Sequence, residues 1–227
     1  MWLKRHAEKW DTVFRKSAAT KKNEGRAIAP GLVLEAKALA CERGGRLILK
    51  DLNFIITGGE AVELRGPNGA GKSSLLRLLA GLNQPAAGLL VFTGASRELN
   101  EAAHYIGHHE AVKSALTVRQ NLEFWSRFLG NEGKAELGPF RLEQLADDEA
   151  RLLSEGQRRR LALSRLVSEL RPVWLLDEPT VGLDQSALVD LRREMEAHVA
   201  GGGMIIAATH AELGLNASRV IEITRTA

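Results

Sequence analysis

Most of this chain is written in short, near-continuous apolar runs separated by stretches in which apolar residues recur every three or four positions. Leu32–Ala38, Leu47–Phe54 and Ala61–Leu64 read as β-strands, with Gly44-Gly45 and Gly58-Gly59 as the turns between them. After Gly71 the leucines at 75, 76, 78 and 79 fall at helical spacing and stop at Gly81, a C-terminal helix signal. Strand-like Leu89–Phe92 and Tyr105–Ile106 follow. Thr117 with Gln120 three positions on reads as a capping box opening a helix through Leu122, Trp125 and Leu129. Gly130–Pro139 reads as a linker and Phe140–Leu153 as a helix. In the last third, helices at about 156–169 and about 186–199 alternate with strands Val173–Leu176, Met204–Ala208 and one near Val220–Thr224. Strands apolar throughout, alternating with helices, predict an α/β fold whose sheet is mostly parallel and covered on both faces.

The first thirty residues break this rhythm. Leu3, Ala7, Trp10 and Phe14 share one helical face among basic residues. Eight bases (Lys4, Arg5, Lys9, Arg15, Lys16, Lys21, Lys22, Arg26) stand there against Glu8, Asp11 and Glu24. Such a helix suits an anionic membrane surface or a partner; the same composition fits a partly ordered basic extension, or a start assigned upstream of the real one. Residues 1–30 are therefore set apart as a basic extension and residues 31–227 as the main domain. The whole chain of 227 residues is only +3, so the body is slightly acidic and is not expected to bind nucleic acid. No apolar run approaches the ~20 residues a bilayer demands, and the stretch at 27–34 is interrupted by Pro30 and ends at Glu35, a poor signal-peptide core. One cysteine, Cys41, excludes an internal disulfide and reads as a buried thiol in a reducing compartment.

Chemistry enters at Gly66-Pro67-Asn68-Gly69-Ala70-Gly71-Lys72-Ser73, a match to G-x-x-x-x-G-K-[ST] with a strand before it and a helix after it. Glycines there let backbone N–H groups wrap phosphates, Lys72 suits the β- and γ-phosphates, and the Ser73 hydroxyl suits Mg²⁺; Ser74 continues the loop into the helix. Leu175-Leu176-Asp177-Glu178-Pro179 then sets two carboxylates at the end of an apolar strand. Asp177 is the candidate for Mg²⁺, directly or through water, and Glu178 for polarising the attacking water. The nucleotide and metal expected are ATP and Mg²⁺.

Leu153-Ser154-Glu155-Gly156-Gln157-Arg158-Arg159-Arg160 resembles the signature motif of ATP-binding cassette (ABC) ATPases, Gly182-Leu183-Asp184 resembles their D-loop, and His210 their switch histidine, all in the expected order. The resemblance covers residues 32–224. It implies a P-loop ABC ATPase: a mostly parallel core sheet, an antiparallel β portion near the N-terminus and a short helical subdomain at about 110–165. It also implies an ATP site split between two chains, with Ser154, Gly156, Gln157 and Asp184 meeting the nucleotide held by a second copy. A helix N-terminus bearing a serine is a physically sensible anion site. Water activated by Glu178 and held by His210 would then drive hydrolysis, making these two the catalytic candidates.

The segment Tyr105-Ile106-Gly107-His108-His109, with Val112-Lys113, Leu116-Thr117-Val118 and Asn121–Trp125, is where transport cassettes grip a membrane partner. Together with Cys41–Arg46 and Val173–Pro179 it is similar to the ATP-binding subunits of the bacterial cytochrome c biogenesis (haem exporter) ABC complex. That implies a peripheral protein on the cytoplasmic face of the inner membrane, paired with an integral membrane permease. Alternatives are another small export cassette or a soluble, non-transport ABC ATPase; the latter kind carries long coiled-coil insertions, and no heptads occur between His109 and Ser154. Three positions depart from the family pattern. No aromatic stands near 41–43 to stack adenine, where Arg43 offers a guanidinium plane. Glu155 replaces a glycine. His109 stands where a glutamine is expected, and it either meets the metal through a water or leaves the metal shell and serves as a mechanical contact.

Overall fold

In this computed structural model residues 28–215 and 218–224 are described. The extension up to residue 27, with its expected amphipathic face, lies outside the described residues.

The strands that read as apolar throughout form a five-stranded parallel sheet, built from β3 (Ala61–Arg65), β5 (Ala103–Ile106), β6 (Val173–Asp177), β7 (Met204–Ala208) and β8 (Ser218–Glu222) in the order β5-β6-β7-β3-β8. Every residue of β6 and β7 is buried. Their side chains alternate between two cores: Val173, Leu175, Met204, Ile206, Val62 and Leu64 face one, Trp174, Leu176, Ile205, Ala207 and Ala61 the other. The first core is closed by helix α1 (Lys72–Leu79) and by a three-stranded antiparallel sheet, β2 (Arg46–Thr57), β1 (Val33–Arg43) and β4 (Ala87–Thr93), in that order. Cys41 sits buried on β1. The second core is closed by α3 (Val118–Phe128), α4 (Glu155–Leu163) and α6 (Gln185–Ala200), which bring Leu122, Leu161, Leu163, Leu191 and Met195. Short helices α2 (Leu99–Ala102) and α5 (Arg165–Ser168) complete the path. The fold is that of a P-loop α/β ATPase. Because the sheet is parallel, the carboxyl ends of β3, β6 and β7 open on one crevice, where ligands bind in such folds.

Three stretches differ from the sequence-based expectation. Phe140–Leu153 is not an α-helix but three single 3₁₀ turns, at Gly138–Phe140, Glu143–Leu145 and Ala150–Leu152. Backbone groups there bond outward: Val118 N–H donates to Asp148 O, Arg119 N–H to Ala146 O, and Ala150 N–H to Leu116 O. Phe140, Leu142, Ala150 and Leu153 are buried all the same, so spacing that mimics a helix arises from an irregular chain lining a core. The helix expected over 156–169 divides at Ser164, whose Oγ donates back to Arg160 O at 2.9 Å, a bond that loosens a helix. Strand β8 ends at Glu222, two residues earlier than its pattern implied.

Candidate functional site

The loop from Gly66 to Lys72 turns between β3 and α1. Gly66 has φ 143°, and a Cβ there would collide with the Ile223 carbonyl, whose own N–H donates to Arg65 O at 2.7 Å. Only glycine lets the loop leave the sheet at this point. Helix α1 starts at Gly71 with no side-chain cap, leaving its first N–H groups available to an anion. The buried Lys72 ammonium donates to two carbonyls of its own loop, Gly66 O at 2.6 Å and Pro67 O at 3.2 Å.

Asp177, the last residue of β6, is buried and accepts a 3.0 Å hydrogen bond from Ser73 Oγ, a pair 104 positions apart in the chain. Glu178 follows in the left-handed region, φ 48°, with its N–H donating to Ala208 O at the end of β7 at 2.8 Å. An L-residue there costs about 1–3 kcal/mol, a strain that persists only where the surroundings hold it. His210 Nε2 lies 3.0 Å from Asn68 Oδ1 and 3.5 Å from Glu178 Oε1. The loop that carries His210 is pinned by Leu213 N–H, which donates to the buried Glu63 carboxylate at 3.0 Å, while Arg65 neutralises that carboxylate at 2.6 Å. Glu63 and Arg65 alternate in sign on a strand, a weak signal that pattern reading passed over.

Ser154, Gly156, Gln157 and Asp184 form a second group. Ser154 caps α4 in a reciprocal box: its Oγ accepts Gln157 N–H at 3.2 Å and its own N–H donates to Gln157 Oε1 at 2.8 Å. A Cβ on Gly156 would lie 2.9 Å from Gly182 O, so the signature helix packs on the D-loop backbone. Asp184 caps α6, accepting from Ala187 N–H at 2.8 Å and Ser186 Oγ at 2.9 Å, bonds that hold its carboxyl below the usual carboxylate range. Among the described residues no hydrogen bond joins Ser154 or Asp184 to the phosphate loop. Glu155 is exposed.

The chemistry of the donor set fits a hard divalent ion: the Ser73 hydroxyl and Asp177 carboxylate offer paired oxygens, too few to cage a metal alone and suited to sharing one with phosphate oxygens and water. His109 is exposed and edge-on to His108. It lines a cleft of about 360 Å³ with Tyr105, Trp125, Leu129 and Arg165. In that cleft Arg165 stacks over the Trp125 ring at 4.4 Å, and burial pulls its guanidinium down to about 10. Arg43 is exposed at the β1–β2 turn.

Two further residues, both within stretches named above but given no role of their own there, organise the surroundings. Buried Asn121 closes the loop before α3, accepting from Lys113 N–H at 2.8 Å and donating to Lys113, Leu116 and Thr117 carbonyls. Arg159, in the middle of α4, donates to Gly107 O, Asp177 O and Glu178 O. It lay within the quoted signature stretch, but no role attached to it there.

A phosphate loop, an acidic pair on the adjoining parallel strand, a histidine beside them and a separately capped signature helix define an ATP-binding cassette. Residues 49–181 match the ABC transporter family. The cytochrome c biogenesis ATP-binding export protein CcmA of Rhodopseudomonas palustris (strain BisB5) is 49% identical over 189 residues, 81% of this chain and 94% of that protein. Its counterpart of the same description in Paramagnetospirillum magneticum (strain AMB-1) is 44% identical over 204 residues, 85% of this chain and 94% of that one. A solved ATP-binding subunit of an ABC transporter superposes with a TM-score of 0.75 at 25% identity, covering 85% of this chain and 86% of that one. The chain belongs to the ABC transporter family, as an ABC-type ATPase subunit, and within it to the cytochrome c biogenesis ATP-binding export proteins.

Proposed function

We propose that this chain hydrolyses ATP to energise haem export or haem delivery for c-type cytochromes, as a peripheral subunit on the cytoplasmic face of the bacterial inner membrane. Its partners in this reading are an integral membrane permease and a second copy of itself. One observation carries the enzymatic part: His210 Nε2 lies 3.0 Å from Asn68 Oδ1 and 3.5 Å from Glu178 Oε1, and Glu178 directly follows the Asp177 that pairs with Ser73. The pathway is supported by relatives whose names join ATP binding to cytochrome c biogenesis.

The residues divide the work as their chemistry allows. The N–H groups of Asn68–Ser74 cradle the triphosphate, and Lys72 exchanges two carbonyls for β- and γ-phosphate oxygens. Ser73 and Asp177 would hold Mg²⁺, and the ion would supply positive charge against the phosphate oxygens. Glu178 orients water and accepts its proton, and His210, tied to Asn68, keeps that water in line. One chain carries one phosphate loop and one signature helix, so Ser154, Gly156, Gln157 and Asp184 act on ATP held by the second copy. His109, exposed toward the Trp125 cleft, supports the mechanical reading over the metal-binding one. Among the described residues no helix is long and apolar enough to cross a membrane.

The experiment is deletion of the gene followed by haem staining of membrane proteins, together with co-purification of the tagged chain. Loss of covalently haem-bearing cytochromes and recovery of an integral membrane subunit are expected. Normal cytochromes in the deletion strain would remove the haem reading while leaving the ATPase standing.

A further inference from the structure

Arg159 is a charged residue in a place that burial makes costly. It is 6% exposed, and its guanidinium bonds backbone carbonyls rather than a carboxylate. Nη1 donates to Gly107 O at 3.2 Å; Nη2 donates to Asp177 O at 3.0 Å and Glu178 O at 2.7 Å; Nε is buried with no hydrogen-bond partner. Packing alone would be served as well by an apolar side chain. The three carbonyls are informative. Two belong to the residues that carry the acidic pair, one of which is held in the left-handed region at φ 48°, and the third directly precedes His108-His109. The guanidinium itself rides on the middle of α4, whose N-terminus is the Ser154 cap.

We propose that Arg159 is a positioning residue: its fork clasps the Asp177–Glu178 backbone and Gly107 to the signature helix, so that the attitude of α4 sets where the Glu178 carboxylate points. A nine-residue helix moves as a rod, and a small tilt at its serine end reaches the clasp five residues on. The state of the signature surface is thereby read by the same chain's own acidic pair. Lysine cannot substitute, because a single ammonium lacks the rigid fork that spans carbonyls on two loops. The inference rests on the ATPase reading above for its kinetic test but not for its structural one.

The test uses the full-length chain with Arg159→Gln and Arg159→Lys. Steady-state ATP turnover is expected to show kcat at least about tenfold lower in both variants, with KM for ATP within about twofold of wild type and melting temperatures within a few degrees. Hydrogen exchange reads the clasp without catalysis: the Glu178 amide, bonded to Ala208 O, should exchange at least about tenfold faster in both variants, while the Leu175 amide in mid-strand is unchanged. Wild-type kcat in the glutamine variant overturns the proposal. So does a loss of kcat that only tracks lost folded protein and weakened nucleotide binding, which is what a purely structural residue gives. An idle wild type would count against the ATPase reading; the exchange result then decides the clasp alone, and unchanged Glu178 protection overturns it.

Discussion

At the scale of single residues, the site is a set of short contacts made by side chains with few alternatives. Glu178 is placed by its own strained backbone, by the Ala208 carbonyl and by Arg159, and only its carboxylate is left toward His210. Glu178→Gln keeps the shape and the backbone contacts and removes the carboxylate proposed as the base. ATP turnover should fall about 100-fold or more while a fluorescent ATP analogue binds with unchanged affinity. Lys72→Ala is the complementary case: it removes the ammonium that would meet phosphate, so the analogue itself should bind poorly. Phosphate release and analogue titration on the two proteins separate the roles, and full turnover by the glutamine variant would strike Glu178 from the mechanism. The motif glycines, Lys72, Ser73 and the Asp-Glu pair were all legible in sequence because each is forced by local chemistry. Glu63 was not, since a buried glutamate holding the His210 loop is defined by Leu213, a residue 150 positions away.

At the scale of elements, α4 depends on its first turn. The Ser154–Gln157 box satisfies two N–H groups that would otherwise lack partners. Ser154→Ala should cost about 1 kcal/mol, seen as a melting temperature lower by roughly 2–4 °C in a chain of this size. Nucleotide binding to the isolated chain should not change, because Ser154 belongs to the group separate from the phosphate loop; weaker analogue binding would show that the two groups meet within one chain. Ser154 with Gln157 three positions on has the same spacing as the Thr117–Gln120 box, so this cap is written in neighbouring residues. The irregular path through 138–152 is not: its apolar spacing satisfied a helix, yet Val118, Arg119 and Ala150 take their backbone bonds from another segment. Helix propensity is worth tenths of a kcal/mol per residue and yields to such cross-segment pairing.

At the scale of the whole molecule, two neutral histidines make the fold acid-sensitive. His104 is buried with Nε2 2.8 Å from Glu169 O, and burial drives it down to about 3. His198 lies flat on Trp174, ring centroids 4.0 Å apart, and burial drives it to about 4. Unfolded, both titrate near 6.5. Above that value neither state binds the protons and the stability is whole; below it the unfolded chain takes them up first, and stability is lost progressively as pH falls toward the folded values. Each histidine contributes about 1.4 kcal/mol per pH unit in that window. Urea midpoints at pH 7.5, 6 and 5 should therefore fall steeply between the last two, and His198→Gln should flatten the slope by one proton's share. A midpoint level from pH 7 to 5 would contradict the burial of both rings.

Taken by itself, the sequence determined the class of fold, the phosphate loop, the acidic pair, the Thr117 cap and the family, because each is written in neighbouring residues: glycines where φ must be positive, continuous apolar runs where a strand is covered on both faces, an N–H-rich loop with a lysine suited to phosphates and oxygens suited to a cation. Only the tertiary structure decided that Glu63 would anchor the His210 loop, that 138–152 would spend its backbone bonds on another segment, and that Arg159 would clasp the Glu178 backbone. These contacts follow from which elements the parallel sheet stacks side by side, and a hydrogen bond between distant residues leaves no periodicity for a linear reading to find.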